Sequence, residues 1–176
     1  GTAQATGVGT INQTLINTTT APATLEYTVT PTSGNCSGAP FTITVTVNPT
    51  PTTLGLTNQT YCNAVITNPI VFTNTVTGTS YTWTNSNTAI GLAASGTGNI
   101  PAFPPTNNGI NPITATISVI ATANGCSRTA ETFTITVNPS PAVNFSPTNQ
   151  TICSGDTSTL VTLSSTTSCA TFSWTA

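Results

Sequence analysis

Ninety residues separate two copies of one short phrase: Thr46-Val47-Asn48-Pro49 returns as Thr136-Val137-Asn138-Pro139. Each copy closes the same alternating run, Phe41-Thr42-Ile43-Thr44-Val45-Thr46-Val47 in one case and Phe133-Thr134-Ile135-Thr136-Val137 in the other. Three more landmarks keep the order and spacing. Cys36 corresponds to Cys126, the run Thr57 to Cys62 to the run Thr148 to Cys153, and Tyr81-Thr82-Trp83-Thr84 to Phe172-Ser173-Trp174-Thr175. A fixed period means one supersecondary unit used again, and about ninety residues is an ordinary size for a β-sandwich.

The phase of the repeat divides the chain into three parts. Residues 1–49 match the back half of a unit, residues 50–139 make a full unit, and residues 140–176 match a front half. A half sandwich leaves a sheet edge and a core face in water, so each end is expected to be completed by adjoining material and not to be a native free terminus. That material is either continuing repeats of a longer chain or further copies of this chain that donate strands. Continuing repeats are preferred, because tandem arrays are common and half-domain ends are rare.

The fold class is all-β. Thr alone fills a quarter of the sequence and, with Val, Ile, Phe and Tyr, favours a pleated, half-buried surface, while Asn, Gly and Pro mark the turns. Within the full unit, strands are predicted at 53–57, at Ile70 to Thr77, at Ser80 to Thr84 with Tyr81 and Trp83 on one face, at Ile113 to Ala121, and at Thr129 to Val137. Gly78 lies in a turn, Asn124-Gly125 makes a hairpin turn of the favoured kind, and 85–112 reads as short strands and loops. About seven strands with a buried Trp on the third suit an immunoglobulin-like sandwich. Trp83, Tyr81 and their counterparts Trp174 and Phe172 are therefore expected in the core, in preference to a sugar-stacking platform.

The charge inventory is Glu26, Arg128, Glu131 and Asp156, or 2% of residues against about 25% in soluble domains. One cation rules out an electrostatic grip on nucleic acid or acidic lipid. No apolar run reaches the length of a membrane helix. With no His and no Lys, the many Ser and Thr hydroxyls lack a base, and three acids spread over three units cannot face one glycosidic bond. No cofactor, metal site or catalytic residue is expected. The charges read as solvated surface groups. Stability is expected to be nearly flat from about pH 5 to 9.

Gln-Thr-x-Cys, then Tyr/Phe-x-Trp, then Asn-Gly-Cys, then a Thr/Val strand ending in Val-Asn-Pro resembles the PKD-like and Ig-like repeats of large Bacteroidota surface proteins, among them gliding adhesins and other type IX secretion cargo. The resemblance implies tandem sandwiches of about ninety residues used as extracellular spacers and adhesive stalk. The Trp-Asp-Phe-Gly-Asp-Gly signature of ordinary PKD domains is replaced by Trp83-Thr84-Asn85 and Trp174-Thr175-Ala176, so no acidic site carries over.

Cysteine in a Lys-free, Thr-rich β chain points to an oxidising, extracellular setting. Each unit supplies one Cys before its second strand and one in its last hairpin. The preferred pairing is Cys62 with Cys126 inside a unit, with Cys36 and Cys153 bonded to partners in adjoining segments or chains. The rival joins Cys36 to Cys62 and Cys126 to Cys153. Opposite poles of a sandwich would defeat the preferred pairing, since a disulfide needs Cα atoms within ~7 Å. Cys169 has no repeat partner and reads as a lone buried thiol. Sequons at Asn12, Asn17, Asn35, Asn58, Asn144 and Asn149 occur as often as this composition predicts.

The expected function is that of an extracellular, non-catalytic structural segment of a surface adhesin, stalk or filament. Its partners would be continuing repeats or further copies. The alternative is a carbohydrate-binding accessory module, with 85–112 holding a glycan beside an exposed Phe103.

Overall fold

The computed structural model describes residues 7–168 and 170–175; Cys169 lies outside them. Regular structure among these residues is all strand, apart from one 3-10 turn at Thr88–Ile90. The protein has the all-β architecture of a PKD/Ig-like sandwich.

The buried core belongs to the middle segment. Its sheet contains β5 (Gln59–Cys62), β6 (Ser80–Asn85), β7 (Ser95–Thr97), β8 (Ile113–Ala123), β9 (Cys126–Ser127) and β10 (Glu131–Asn138). The spatial order is β5-β10-β8-β6-β7, with β9 turned back on β8. β5 runs parallel to β10 and every other pairing is antiparallel. Alternation decides the faces: Ala115, Ile117, Val119, Ala121 and Ala123 of β8 are buried, as are Phe133, Ile135 and Val137 of β10. Thr114 and Thr136 meet on the outer face through their hydroxyls, 3.0 Å apart. The β8–β9 turn places Asn124 at φ 49 and Gly125 at φ 80, the left-handed pair that an Asn-Gly hairpin requires.

Facing this sheet is a layer with little ladder. Phe72, Ile90, Leu92, Ile100 and Phe103 supply its apolar side chains, and Ile70 and Ile100 form its single isolated bridge. The strand predicted at Ile70 to Thr77 does not form beyond that bridge. Asn99 Oδ1 accepts from Phe72 N at 2.9 Å and Asn74 Oδ1 from Val76 N at 3.1 Å. Side-chain amides thus satisfy backbone donors that a neighbouring strand would otherwise take. The strand predicted at 53–57 is also absent, because Gly55 at φ 64 breaks the extended run. Pairing begins instead at Gln59, where Ile135↔Gln59 opens the β5–β10 register.

Trp83 is 4% exposed and lies across from Gly96, its β6–β7 partner. A Cβ at Gly96 would overlap the indole at Cζ2; the glycine is there to admit the ring. Tyr81 is half-buried against Phe72, ring centroids 5.5 Å apart, and Tyr61 meets Phe103 edge-on at 6.4 Å. Burial raises the pKa of both phenols above the ordinary 10.0. A pKa raised in the folded state means stability that is complete below the unfolded value and lost as pH rises through the folded one. Urea midpoints are therefore expected to fall above about pH 10, and Tyr61→Phe and Tyr81→Phe should each flatten that fall.

Of the flanking segments, the N-terminal one repeats the geometry without the core, whereas the C-terminal one pairs positions that are unpaired in the middle segment. In the N-terminal one, β1 (Ala23–Val29) pairs with β4 (Phe41–Val47), and β2 (Thr32–Ser33) with β3 (Cys36–Ser37). Its register, Ala23↔Val47 to Val29↔Phe41, is that of Ile113↔Val137 to Val119↔Glu131 shifted by the repeat. In the C-terminal segment β11 (Asn144–Ser146) pairs with β12 (Thr162–Ser164). Core-face positions stand open here. Ile43, counterpart of Phe133 (3% exposed), is 41% exposed, and Trp174, counterpart of Trp83, is 81% exposed. Phe172, at 42%, is likewise not in a core. The sequence pattern places both in a core, but among the described residues no strand covers them.

Ala64 has φ 62 and its repeat counterpart Gly155 has φ 94. The turn after Cys62, like the one after Cys153, asks for the left-handed region, where a Cβ is strained. Ala64→Gly is expected to raise the unfolding free energy by about 0.4–1 kcal/mol, read as a higher urea midpoint at unchanged slope.

Candidate functional site: the joint between repeats

The sequence offers no reacting groups to assemble. Among the described residues, no three His, Cys, Asp or Glu side chains gather as a metal site. Phe103, offered as an exposed sugar platform, is 7% exposed and packs on Tyr61, so it cannot stack on a glycan. The built feature is the joint.

Asn48-Pro49-Thr50-Pro51 enters the middle segment at its head, the end that carries the β8–β9 hairpin. Pro49 and Pro51 are fully buried, which removes two donorless residues from water and fixes φ at both. Asn48 Nδ2 donates to Asn124 O at 2.8 Å. On the next stretch, Asn74 Nδ2 donates to Thr52 O at 2.8 Å. Arg128 ties the same stretch to the sheet: Nε donates to Glu131 Oε1 at 2.6 Å, Nη1 to Pro51 O at 3.3 Å and Nη2 to Thr53 Oγ1 at 2.9 Å. Glu131 in turn accepts from Leu54 N at 3.2 Å. The sequence pattern reads these charges as solvated surface groups. The structure makes them a clamp, half-exposed, that holds 51–54 against the start of β10. No repeat signal marked it, since neither residue recurs; the cue was two of four charges only three positions apart.

At the other end, the tail, β10 runs into Asn138-Pro139-Ser140-Pro141. Asn63 N donates to Asn138 O at 2.9 Å and Asn63 Nδ2 to Ser140 Oγ at 3.2 Å. Ser168 N donates to Ile110 O at 2.9 Å and Thr167 Oγ1 to Ser140 O at 3.4 Å, which joins the C-terminal segment to this end.

A hub near each tail went unnoticed in the sequence. Asn107 Nδ2 donates to Val137 O and Asn111 O, and its Oδ1 accepts from Gly109 N. Ninety residues earlier, Asn17 Nδ2 donates to Val47 O and Ala21 O, and its Oδ1 accepts from Thr19 N. Identical bonds recur although the surrounding residues differ, so only the isolated Asn at the repeat offset could have signalled it. Asn17, read as a sequon, has its amide fully committed.

The cysteines do not pair as preferred. Cys62 stands level with Asn138 at the tail, whereas Cys126 pairs with Ala123 at the head. The eleven residues of β8 lie between, roughly 35 Å at ~3.4 Å each. A disulfide is excluded at that distance. The rival fails too, because Cys36 sits in the N-terminal hairpin, far from that segment's Val47 end. Cys36, Cys62 and Cys153 are exposed and Cys126 is half-buried, and none of the four is bonded to another among the described residues.

A groove in the C-terminal segment is lined by Leu160, Val161, Leu163 and Trp174 with Ser158 and Thr159. It is the apolar face left open beside β12.

Residues 1–51 match the family model of the PKD-like domain. The match covers the N-terminal hairpin, whose register and Asn hub recur in the middle segment. PKD-like domains are commonly extracellular, typically non-catalytic, and serve structure or adhesion. No curated protein matches the chain. Among the described residues no helix is long and apolar enough to cross a membrane.

Proposed function

We propose that this chain is a segment of an extracellular structural protein, a stalk or filament of PKD-like repeats stacked head to tail in a surface adhesin. The repeats resemble those of Bacteroidota proteins exported by type IX secretion, and we assign the segment to that setting. It is divided at residues 49/50 and 139/140, and adjoining repeats complete residues 1–49 and 140–176.

The observation that carries this reading is the contrast at equivalent positions. Side chains buried in the middle segment are open in the flanking ones, Trp83 against Trp174 above all. Burying such faces is favourable at about 25 cal/mol per Å², so the segments have a strong drive to be covered by the missing half. Buried prolines and the Arg128 clamp limit bending at the joint, which suits a load-bearing or projecting element. The near absence of charge lets neighbouring fibres approach with little ion desolvation.

Negative-stain electron microscopy of the native material tests it. Beads spaced by one repeat along an unbranched fibre are expected; dispersed single particles would end the proposal. A glycan array on this chain tests the binding-module alternative, for which saturable binding of a defined sugar is required.

A further inference from the structure

The geometry points to a disulfide across each joint: the tail cysteine of one repeat, which is Cys62 at the end of β5 and, by sequence correspondence, Cys153, bonds to the hairpin cysteine at the head of the next, of which Cys36 and Cys126 are examples. The inference rests on the head-to-tail stacking proposed above.

Three observations carry it. First, Cys62 ends β5 beside Asn138, which opens the tail linker. It is exposed, whereas its neighbour Tyr61 faces the core. Second, Cys126 stands just past the Asn124-Gly125 turn at the head. Third, the head of the middle repeat already touches the tail of the one before it, since Asn48 Nδ2 reaches Asn124 O at 2.8 Å. Asn48 is the counterpart of Asn138. One strand spacing from Asn48, about 4.8 Å, is therefore the place where the preceding repeat's strand cysteine belongs, next to the turn that holds Cys126. Neither cysteine has a partner within reach in its own repeat. The arrangement gives every repeat one sulfur at each end, as a bonded string requires.

Formation is a thiol–disulfide exchange. One thiolate attacks a disulfide oxidant, of the small-molecule or protein type, and displaces one of its sulfurs as a thiol. The second thiolate attacks the mixed disulfide, the Sγ–Sγ bond forms, and the oxidant's other sulfur leaves. Two protons and two electrons pass from the cysteines to the oxidant.

The test is a chain with its middle repeat duplicated, residues 1–139 followed by 50–176, so that one complete joint lies within one polypeptide. The junction Asn138-Pro139-Thr50-Pro51 reproduces the natural Asn48-Pro49-Thr50-Pro51. Residues 50–139 hold the whole buried cluster, so each copy brings its own core. Cys36, Cys153 and Cys169 are changed to Ser throughout. One protein keeps Cys62 in the leading copy and Cys126 in the trailing copy. A second keeps the reverse, and a third keeps both in one copy. After equilibration with reduced and oxidised glutathione, free thiols are counted by maleimide mass shift.

Loss of both thiols is expected in the first protein only. If the first protein shares the reduced-state melting transition of the others yet keeps two titratable thiols, the disulfide is overturned. So is it if all three oxidise alike. Small-angle scattering of the reduced proteins separates the two ideas: an extended two-repeat length with free thiols ends the disulfide alone, and a collapsed or disjointed pair ends the stacking beneath it.

Discussion

Trp83→Ala is expected to destabilise the chain by about 3–5 kcal/mol, while Trp174→Ala changes its own unfolding by no more than about 0.5 kcal/mol. The two residues hold the same place in the repeat, and the difference is burial alone: 4% exposed against 81%. Trp83 fills the space over Gly96, and truncation leaves a cavity that the close-packed Ile117 and Ile135 layer cannot collapse into. A domain of this size has about 5–15 kcal/mol in total, so the Ala variant approaches the threshold of folding at 37 °C. Trp83→Phe should fall well short of that loss. The indole Nε1 is buried without a hydrogen-bond partner, and its removal relieves a desolvation penalty that offsets part of the lost contact. Urea unfolding followed by circular dichroism reads all three. Under the proposed completion of this segment by an adjoining repeat, the Trp174 variant has a second readout. In sedimentation velocity the parent chain should associate with rising concentration, and Trp174→Ala should weaken that association. An equal loss of midpoint in both variants would mean that the C-terminal segment already has a core of its own, contrary to the exposed faces described above.

The sandwich was legible wherever one face is apolar and the other is Thr. β8 and β10 follow strict alternation, and their ends fall within about two residues of the runs read from sequence. The Asn124-Gly125 turn was legible because left-handed φ is a property of those two residue types. The opposite layer was not. Its side chains are apolar enough to suggest a strand at Ile70 to Thr77, but whether a ladder forms depends on what the facing segment can donate. Beyond the bridge of Ile70 to Ile100, Asn74 and Asn99 take over the bonding through side chains. Periodicity reports burial, and here burial and pairing part company. The cysteine pairing misled for a related reason. A sequence gives the spacing of Cys62 and Cys126 but not the pole at which each lies, and parallel pairing of β5 with β10 puts them at opposite ends. The Arg128–Glu131 clamp was hidden because the repeat test discards whatever does not recur.

Asn107→Ala is expected to cost about 2–4 kcal/mol, more than any other polar truncation in the middle repeat, because several buried groups lose their partners at once. Asn107 is 4% exposed. Its Nδ2 holds Val137 O at 2.8 Å and Asn111 O at 2.9 Å, its Oδ1 holds Gly109 N at 3.0 Å, and its own N–H reaches Asn63 Oδ1 at 2.8 Å. The side chain therefore pins the 107–111 loop to the last residue of the core face of β10, where the tail linker begins. Alanine leaves a carbonyl at Val137 with no water to replace the amide. Asn107→Asp is the sharper variant. The carboxylate keeps the acceptor for Gly109 N but turns two donor contacts into oxygen facing oxygen, so it should be at least as damaging as alanine although the shape is retained. The repeat supplies the control. Asn17 makes the same bonds to Val47 O, Ala21 O and Thr19 N but is only half-buried, so water can replace what Asn17→Ala removes and the loss should stay under about 1 kcal/mol. Urea midpoints of the three variants decide it. If Asn107→Ala and Asn17→Ala lose equally little, the hub is a surface turn motif and does not lock the tail; if Asn107→Asp is tolerated, the donor contacts to Val137 and Asn111 are not what holds the loop.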